Sequence, residues 1–249
     1  MQHQSAGSLL ANRPVRTICL VAALSMLLPA SLAFGQQTYV GRFDIYAGYA
    51  YLNSPHISLA ESGFQTQFGV RVVPWLTLGF DFSTESGNTS ITPNLLTTAL
   101  QQQLGAELEG LIGEGAIPAN YSLVVPLHSV TETYAGGPQF SYHGFSRATL
   151  FIRPAVGLIH EAATPHPNPD DPVAVGIVDQ LVPSGVKTDS VLFYGFGGGA
   201  DVNISKHVAI RIQADFVHDH LFSDLLKDGR NTVRFGIGPA FQFGGNVVK

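Results

Sequence analysis

The chain has 249 residues, long enough for one all-β domain or two small ones. Only 12% of the residues are charged, whereas 10% are aromatic and 27 are glycine, a composition that suits a wall facing lipid better than one facing water. The formal net charge of −5 argues against nucleic acid as a partner, because its phosphates repel an acidic protein.

Residues 1–35 have the pattern of a secretory signal peptide. A basic region with Arg13 and Arg16 precedes an apolar stretch, 18–28, that is too short to span a bilayer, and small residues follow it. Cleavage after this segment removes two basic residues and no acidic one, so the net charge becomes −7. It also removes Cys19, so we expect a mature chain without disulfides.

Residues 36–249 carry one pattern eight times, and we interpret them as a single domain. Apolar and polar residues alternate with a period of two, which is typical of a strand whose two faces meet different surroundings. Each segment is about ten residues long, the span of a tilted membrane strand. The alternating segments are 43–51, 64–72, 76–82, 134–142, 150–158, 192–202, 208–216 and 233–243.

The connections between these segments alternate between short and long. Short turns are expected near Pro74, Gly144 and Ser205. An even strand count with this alternation predicts an antiparallel up-and-down transmembrane β-barrel, closed because a sheet edge has no partner in hydrocarbon. The expected external loops are about 53–63, 84–131, 162–190 and 219–230.

The polar face of the segments predicts a charge-lined interior. An eight-stranded barrel is just wide enough for side chains to fill it, and buried charges need partners of opposite sign. Five basic and five acidic residues share this face with small residues and hardly any Leu or Ile. They are Arg42, Asp44, Arg71, Asp81, Arg153, Glu161, Asp201, Arg211, Asp215 and Arg234.

The opposite face is aromatic and aliphatic throughout. A soluble eight-stranded barrel such as a lipocalin would bury this face, but charges on the other one favour an apolar outer wall. Aromatic residues concentrate near the strand ends, as membrane-interface girdles do. The expected girdle residues are Tyr49, Tyr51, Trp75, Phe82, Tyr134, Tyr142 and Phe243.

Segments 43–49, 137–142 and 197–202 and the closing segment 236–243 resemble the outer-membrane protein A-like family of eight-stranded transmembrane β-barrels. In the closing segment, a glycine before two spaced aromatics looks like the C-terminal signal read by the barrel-assembly machinery. The resemblance implies a fold, an outer-membrane location and an assembly route. It implies no chemistry, because the family includes anchors, adhesins, small pores and a few enzymes. The signal residues are Gly238, Phe241 and Phe243.

The second and third long loops differ in character. Pro93, with Thr92 as cap, predicts the start of a short helix in the second loop. This helix either packs over the barrel mouth or against its own loop, plugs the barrel, or binds a partner. The third loop is rich in Pro and Asp and is expected to be irregular and mobile, with Asp170 and Asp171 as a solvated turn rather than a cation site. The apolar stripe of the helix is Leu96, Leu100, Leu104, Leu108 and Ile112.

Two histidine motifs are candidates for metal binding or catalysis. His218 and His220 point the same way along a strand, but no third metal ligand is visible, so we expect ordinary interface histidines and no metal or cofactor. His128 precedes Ser129, but no acid lies at useful spacing. The predicted lipid-facing positions contain no serine for a lipid-hydrolysing triad. We therefore do not expect an enzyme.

Three functions remain open at this point. The first is a structural anchor or interaction scaffold in the outer membrane that displays its external loops. The second is a small or gated porin-like channel for ions or small solutes. The third, which the sequence favours least, is a lipid-modifying enzyme. The expected partners are the lipid bilayer and, during biogenesis, the barrel-assembly machinery, whereas the sequence does not identify an external partner.

Overall fold

The computed structural model describes residues 37–247, and the expected signal peptide lies outside the described residues. They form eight antiparallel strands in one closed barrel, in which each strand pairs with its neighbour along the chain and the last pairs with the first. The predicted up-and-down barrel is confirmed. The strands are β1 (Gly41–Ser54), β2 (Leu59–Val73), β3 (Leu76–Ile91), β4 (Val125–Tyr142), β5 (Ala148–Pro165), β6 (Lys187–Asn203), β7 (Val208–Asp219) and β8 (Arg230–Asn246).

The strands are longer than the sequence predicts, so the predicted bounds of the first three loops are wrong, whereas the fourth loop differs from its predicted bounds by one residue at each end. The loops at the long-loop end of the barrel are 55–58, 92–124, 166–186 and 220–229, and the first of them is a single 3-10 turn, Pro55–Ile57. The additional strand residues keep their inner face buried, but their outer face is polar. Because this part of the sheet continues beyond the apolar band, its residues lack the apolar alternation that marks a membrane strand. Outer-face residues of this part include Thr84, Glu132, His160, Ser190 and Asn231.

The helix predicted in the second loop is present but begins later than expected. Pro93 opens a 3-10 turn, Pro93–Leu95, and helix α1 covers Thr98–Gly113. Between them, Leu96 forms an isolated antiparallel bridge with Leu226 of the fourth loop. This pairing holds the backbone extended, so the helix starts only after it.

The third loop is not irregular, and that prediction is wrong. It contains helix α2, Pro172–Leu181, with proline in its first turn. The Asp171 side chain accepts a hydrogen bond from the Ala174 amide at 3.0 Å and so caps the helix. The acidic and proline residues that suggested an irregular loop are therefore the start signal of a helix.

The two faces of the barrel wall have opposite character. On the outer face, Ile152 is 50% exposed and Leu192 80%, whereas on the inner face Asp81 and Arg211 are almost fully buried. The apolar face of this barrel therefore points outward and the charged face inward, the reverse of a soluble protein.

In the described part of the chain, no helix has the length and apolar character needed to cross a membrane.

The close approach of neighbouring strands at one glycine allows the strand register to be tested. A Cβ atom at Gly137 would lie 2.3 Å from the carbonyl oxygen of Pro154, whereas at the neighbouring Gly136 the nearest atom would be 3.6 Å away. Gly137→Ala should lower the free energy of unfolding by about 1–3 kcal/mol through overpacking, and Gly136→Ala by less than about 0.5 kcal/mol. Urea titration followed by the fluorescence of Trp75, the single tryptophan, measures both. Equal losses would contradict the strand register.

Candidate functional site: the barrel interior and its cap

A cluster of four charged side chains crosses the middle of the barrel. Arg153 lies 3.1 Å from Asp81 and 2.6 Å from Asp215, and Arg234 contacts the same two carboxylates at 2.9 and 3.1 Å. These residues come from β3, β5, β7 and β8. Three of the four pairs join strands that are not neighbours in the sheet, whereas Asp215 and Arg234 face each other on adjacent strands. We call them the central cluster. Its two positive and two negative charges balance, which is what buried ions require.

A second group, the lower cluster, lies towards the short turns. Arg211 binds Asp201 at 2.7 Å and Asp44 at 3.1 Å, and Arg71 lies 4.0 Å from Asp44. The guanidinium of Arg211 also stands 4.8 Å from the centre of the Phe151 ring, a cation–π contact. The lower cluster therefore closes the barrel below the central one.

Glutamine side chains join these two clusters. Gln67 donates to Asp81 at 2.9 Å and accepts from Arg211 at 2.8 Å. Gln65 donates to Asp81 at 2.6 Å and accepts from Gln213 at 2.7 Å. The central and lower clusters thus form one continuous hydrogen-bonded network. The glutamines were not predicted as members of this network, although their inward parity marks them as lumenal.

A third group, the upper cluster, lies towards the long loops. Arg230 binds Glu161 at 2.6 Å and Asp219 at 3.1 Å, and Ser129 donates to Glu161 at 2.9 Å. Of these residues the sequence analysis placed only Glu161 in the interior. Arg230 and Asp219 were missed because the predicted fourth loop, 219–230, included the ends of the strands that carry them.

Two further carboxyl groups on the inner face were also missed. Glu85 is buried and accepts a hydrogen bond from Ser83 at 3.1 Å. Glu61 is buried too, and neither of its carboxyl oxygens has a hydrogen-bond partner among the described residues. Both lie in strand ends that the sequence analysis assigned to loops. The inward parity of the strands continues through positions 61 and 85, and this pattern could have identified both residues as lumenal.

The placement predicted for Arg42 is wrong. The structure exposes Arg42 and buries its neighbour Gly41. The pairing of β1 with β8 shifts between Gly41 and Phe43, a β-bulge that inserts one residue and reverses the parity there. The other nine predicted charges lie on the inner face.

The upper interior is apolar, contrary to the expectation of few large apolar side chains inside. Leu59, Ile159, Phe193 and Val217 are buried together with loop residues of the fourth connection. This layer lies at the same level as the upper cluster. Its members share the inward parity of the charges, but in the sequence each is isolated between outward residues.

The long loops fold together into one cap, formed by residues 92–124, 166–186 and 220–229. The second and fourth loops pair through their backbones, with Thr97 donating to Leu225 at 2.8 Å. The second and third loops share a buried apolar cluster in which Leu104 of α1 meets Ala174 and Ile177 of α2. Leu100, Leu104 and Leu108 of the predicted apolar stripe therefore pack inside the cap, together with Leu96, which precedes α1.

A tyrosine ties the second loop to the start of α2. The Tyr121 hydroxyl donates to Asp171 at 2.7 Å, and this bond together with the Ala174 amide holds the pKa of the Asp171 carboxyl below its usual value. Desolvation and the same bond raise the pKa of Tyr121 to about 12. Asp171 is thus committed to a helix cap and not to a cation.

An apolar chamber of about 110 Å³ lies inside the cap. We call it the cap chamber. It is lined mainly by residues of the second, third and fourth loops and of the upper ends of the strands, with Glu161 of the upper cluster at its edge. Its apolar lining includes Leu96, Leu104, Ile177, Leu181, Phe222 and Leu226.

Aromatic side chains form two rows on the outer wall. At the short-turn end Trp75 stacks on Phe140 with ring centres 6.1 Å apart, and Phe243 packs on Phe43 at 5.4 Å. Nearer the long loops, Phe82 lies 5.1 Å from Tyr134. The seven predicted girdle residues all lie on this outer face, with Trp75, Tyr142 and Phe243 in the first row and the other four in the second.

The two histidine motifs make aromatic and hydrogen-bond contacts with neighbouring side chains. His218 and His220 pack edge to face with ring centres 4.9 Å apart, and His218 hydrogen-bonds Asn231 at 2.8 Å. His128 is exposed and bonds Asn88, whereas Ser129 points into the barrel. Among residues 37–247, no three His, Cys, Asp or Glu side chains are grouped to hold a metal ion.

Solved structures share this architecture. Neisserial surface protein A aligns with 82% of this chain and 99% of its own at 8% identity and a TM-score of 0.50. The chain has the fold of the eight-stranded outer-membrane β-barrels. Ail, the attachment invasion locus protein of Yersinia pestis (13% identity, 82% and 99% coverage, TM-score 0.45), and OprG from Pseudomonas aeruginosa (11%, 84% and 99%, 0.43) are more distant in shape.

At these identities the likeness concerns the fold alone. No family model matches the sequence. No curated protein matches it either.

The central cluster provides a test of how strongly its charges depend on each other. Asp215→Asn should lower the free energy of unfolding by about 3–5 kcal/mol, because it leaves two buried arginines facing one carboxylate. Asp224→Asn breaks the exposed pair with Lys187 and should cost about 1 kcal/mol or less. Urea titration of the two variants in phospholipid vesicles measures the difference. Similar losses would show that the central cluster is hydrated and not a buried network.

Proposed function

We propose that the protein is an integral outer-membrane β-barrel that serves as a rigid, non-conducting scaffold and displays the cap at the cell surface. The observation that carries this proposal is the central cluster, which closes the barrel with side chains from four strands. Two pockets that reach this cluster measure about 30 and 10 Å³, room for no more than a few water molecules.

The outer wall supports a bilayer as its surroundings. A continuous exposed apolar band between two aromatic rows is what a lipid-embedded barrel presents, and water would not tolerate it. Barrels of this kind have short turns on the periplasmic side and longer loops outside. We therefore place the cap outside the cell and the turns at residues 74–75, 143–147 and 204–207 in the periplasm.

The closing strand supports insertion by the barrel-assembly machinery. Phe241 and Phe243 are exposed on the outer face of β8, where they pair with Ile45 and Phe43 of β1. A Cβ atom at Gly238 would lie 2.3 Å from the carbonyl oxygen of Ala47, so glycine permits the close approach of the two strands. We propose Gly238, Phe241 and Phe243 as the assembly signal and a signal peptide, 1–35, as the export route.

Lipid hydrolysis finds no support among the described residues. Ser129 and His128 lie on opposite faces of β4, so the histidine does not activate the serine hydroxyl. The lumenal carboxylates of the central and lower clusters are bound to arginines, so their presence is explained by a structural role in neutralising buried positive charge. We therefore propose a function without catalysis.

Planar-bilayer recording separates the scaffold from a channel. We expect purified full-length protein to give no steady conductance steps, because the paired Arg and Asp side chains fill the lumen. A porin of known conductance in the same bilayers controls for the recording, and protease-protected strands control for insertion. Steady channels from the wild type that change on Arg211→Ala would establish transport and overturn the scaffold.

A matched pair of arginine substitutions tests the membrane band. Ile152 lies on the outer face of β5 within the apolar band, and Thr164 lies on the same face of the same strand near the cap. Ile152→Arg should cost about 2–4 kcal/mol of folding free energy into vesicles, and Thr164→Arg about 0–1 kcal/mol. Urea titration in phospholipid vesicles measures both. Equal costs would mean that the band is not in lipid.

A further inference from the structure

We propose that the cap chamber is a binding site for a small uncharged apolar molecule, a hydrocarbon or simple aromatic of about the size of benzene. Nothing in the scaffold function requires such a space. The chamber is set apart from the central cluster and lies where three loops and the upper strand ends meet.

The size of the chamber defines the size of the ligand. Protein interiors are packed as densely as organic crystals, so a void of about 110 Å³ forgoes many contacts. Apolar cavities of about 150 Å³ lined by Leu, Ile and Phe stay dry and take up benzene or xenon. This chamber has a lining of the same residue types and a slightly smaller volume.

The polar groups at the edge of the chamber are already engaged, which excludes water as its natural content. Glu161 is bound to Arg230 and Ser129, and Lys187 to Asp224. Thr89 donates its hydroxyl hydrogen to the carbonyl oxygen of Ile57 at 2.8 Å. A water molecule needs two to four polar partners, and these groups leave it few. A charged ligand would lack partners for the same reason.

A route from solvent to the chamber is also present. An open depression of about 700 Å³, lined by residues such as His56, Asn88 and His166, lies on the flank of the cap. It shares Ile57, Thr89, Thr92 and Leu127 with the chamber lining. The chamber and the depression therefore adjoin at these four residues, and this is the side from which a ligand would enter.

The experiment uses benzene and the full chain in detergent micelles, with ¹³C-labelled methyl groups. We expect intermolecular nuclear Overhauser effects from benzene to the methyl groups of Leu104 and Ile177. Contacts only to outward methyl groups such as those of Leu150 would mean that benzene merely partitions into the micelle, and would overturn the proposal.

A filling variant and its neighbour provide the matched control. Ala163 lines the chamber, whereas Ala162 is the adjacent residue on the opposite face of β5. Ala163→Phe should weaken benzene binding by at least about tenfold, because one methylene too many in an apolar pocket already costs about 10- to 200-fold. Ala162→Phe should leave it unchanged. Equal affinities of the two variants would overturn the proposal.

An enlarging variant keeps the test valid if Ala163→Phe does not fold. Ile177→Ala widens the chamber from the α2 side and should let the larger p-xylene bind at least about tenfold more tightly than it binds the wild type. Val175→Ala, on the same helix but outside the lining, is the control. No gain for Ile177→Ala over Val175→Ala would overturn the proposal.

Discussion

Closure of the sheet is the constraint on which the rest of the molecule depends. Because β8 pairs with β1, every strand has a partner on both sides and no row of backbone N–H and C=O groups is left at an edge. Closure also divides space in two, so residues of opposite parity meet different surroundings along every strand. With eight strands the enclosed space is only as wide as side chains, so any charge inside it must find its partner on another strand of the same wall. That strand is the neighbouring one for Arg211 and Asp201, and a more distant one for Arg153 and Asp81.

The three charge clusters pair the buried charges at successive heights in the barrel. Each combines arginines with carboxylates from other strands, and the glutamines join the lower two into one network. Such a network fixes the strands relative to one another, because moving one strand breaks contacts to several others. The cap then rests on a rigid mouth, and its helices pack on each other instead of entering the lumen. Rigidity below and folded loops above are the physical basis of the scaffold function that we propose.

The sequence predicted the candidate site in part, and the misses have identifiable causes. Nine of the ten predicted charges are lumenal, and most of them were found because they lie between outward apolar residues. Arg230, Asp219, Glu61 and Glu85 were missed because their outward neighbours are polar, so alternation no longer marks a strand. Arg42 was misplaced because a β-bulge changes the parity, and a bulge depends on the partner strand.

By itself, the sequence determined the eight strands, their closure and the outward direction of the apolar face, since a period of two follows directly from backbone geometry. Only the tertiary structure decided which charges pair, where the strands end beyond the apolar band, and that the long loops fold into one cap around a chamber. These features depend on contacts between residues far apart in the chain. The pairing of Leu96 with Leu226 and the meeting of Leu104 with Ile177 leave no local pattern in the sequence.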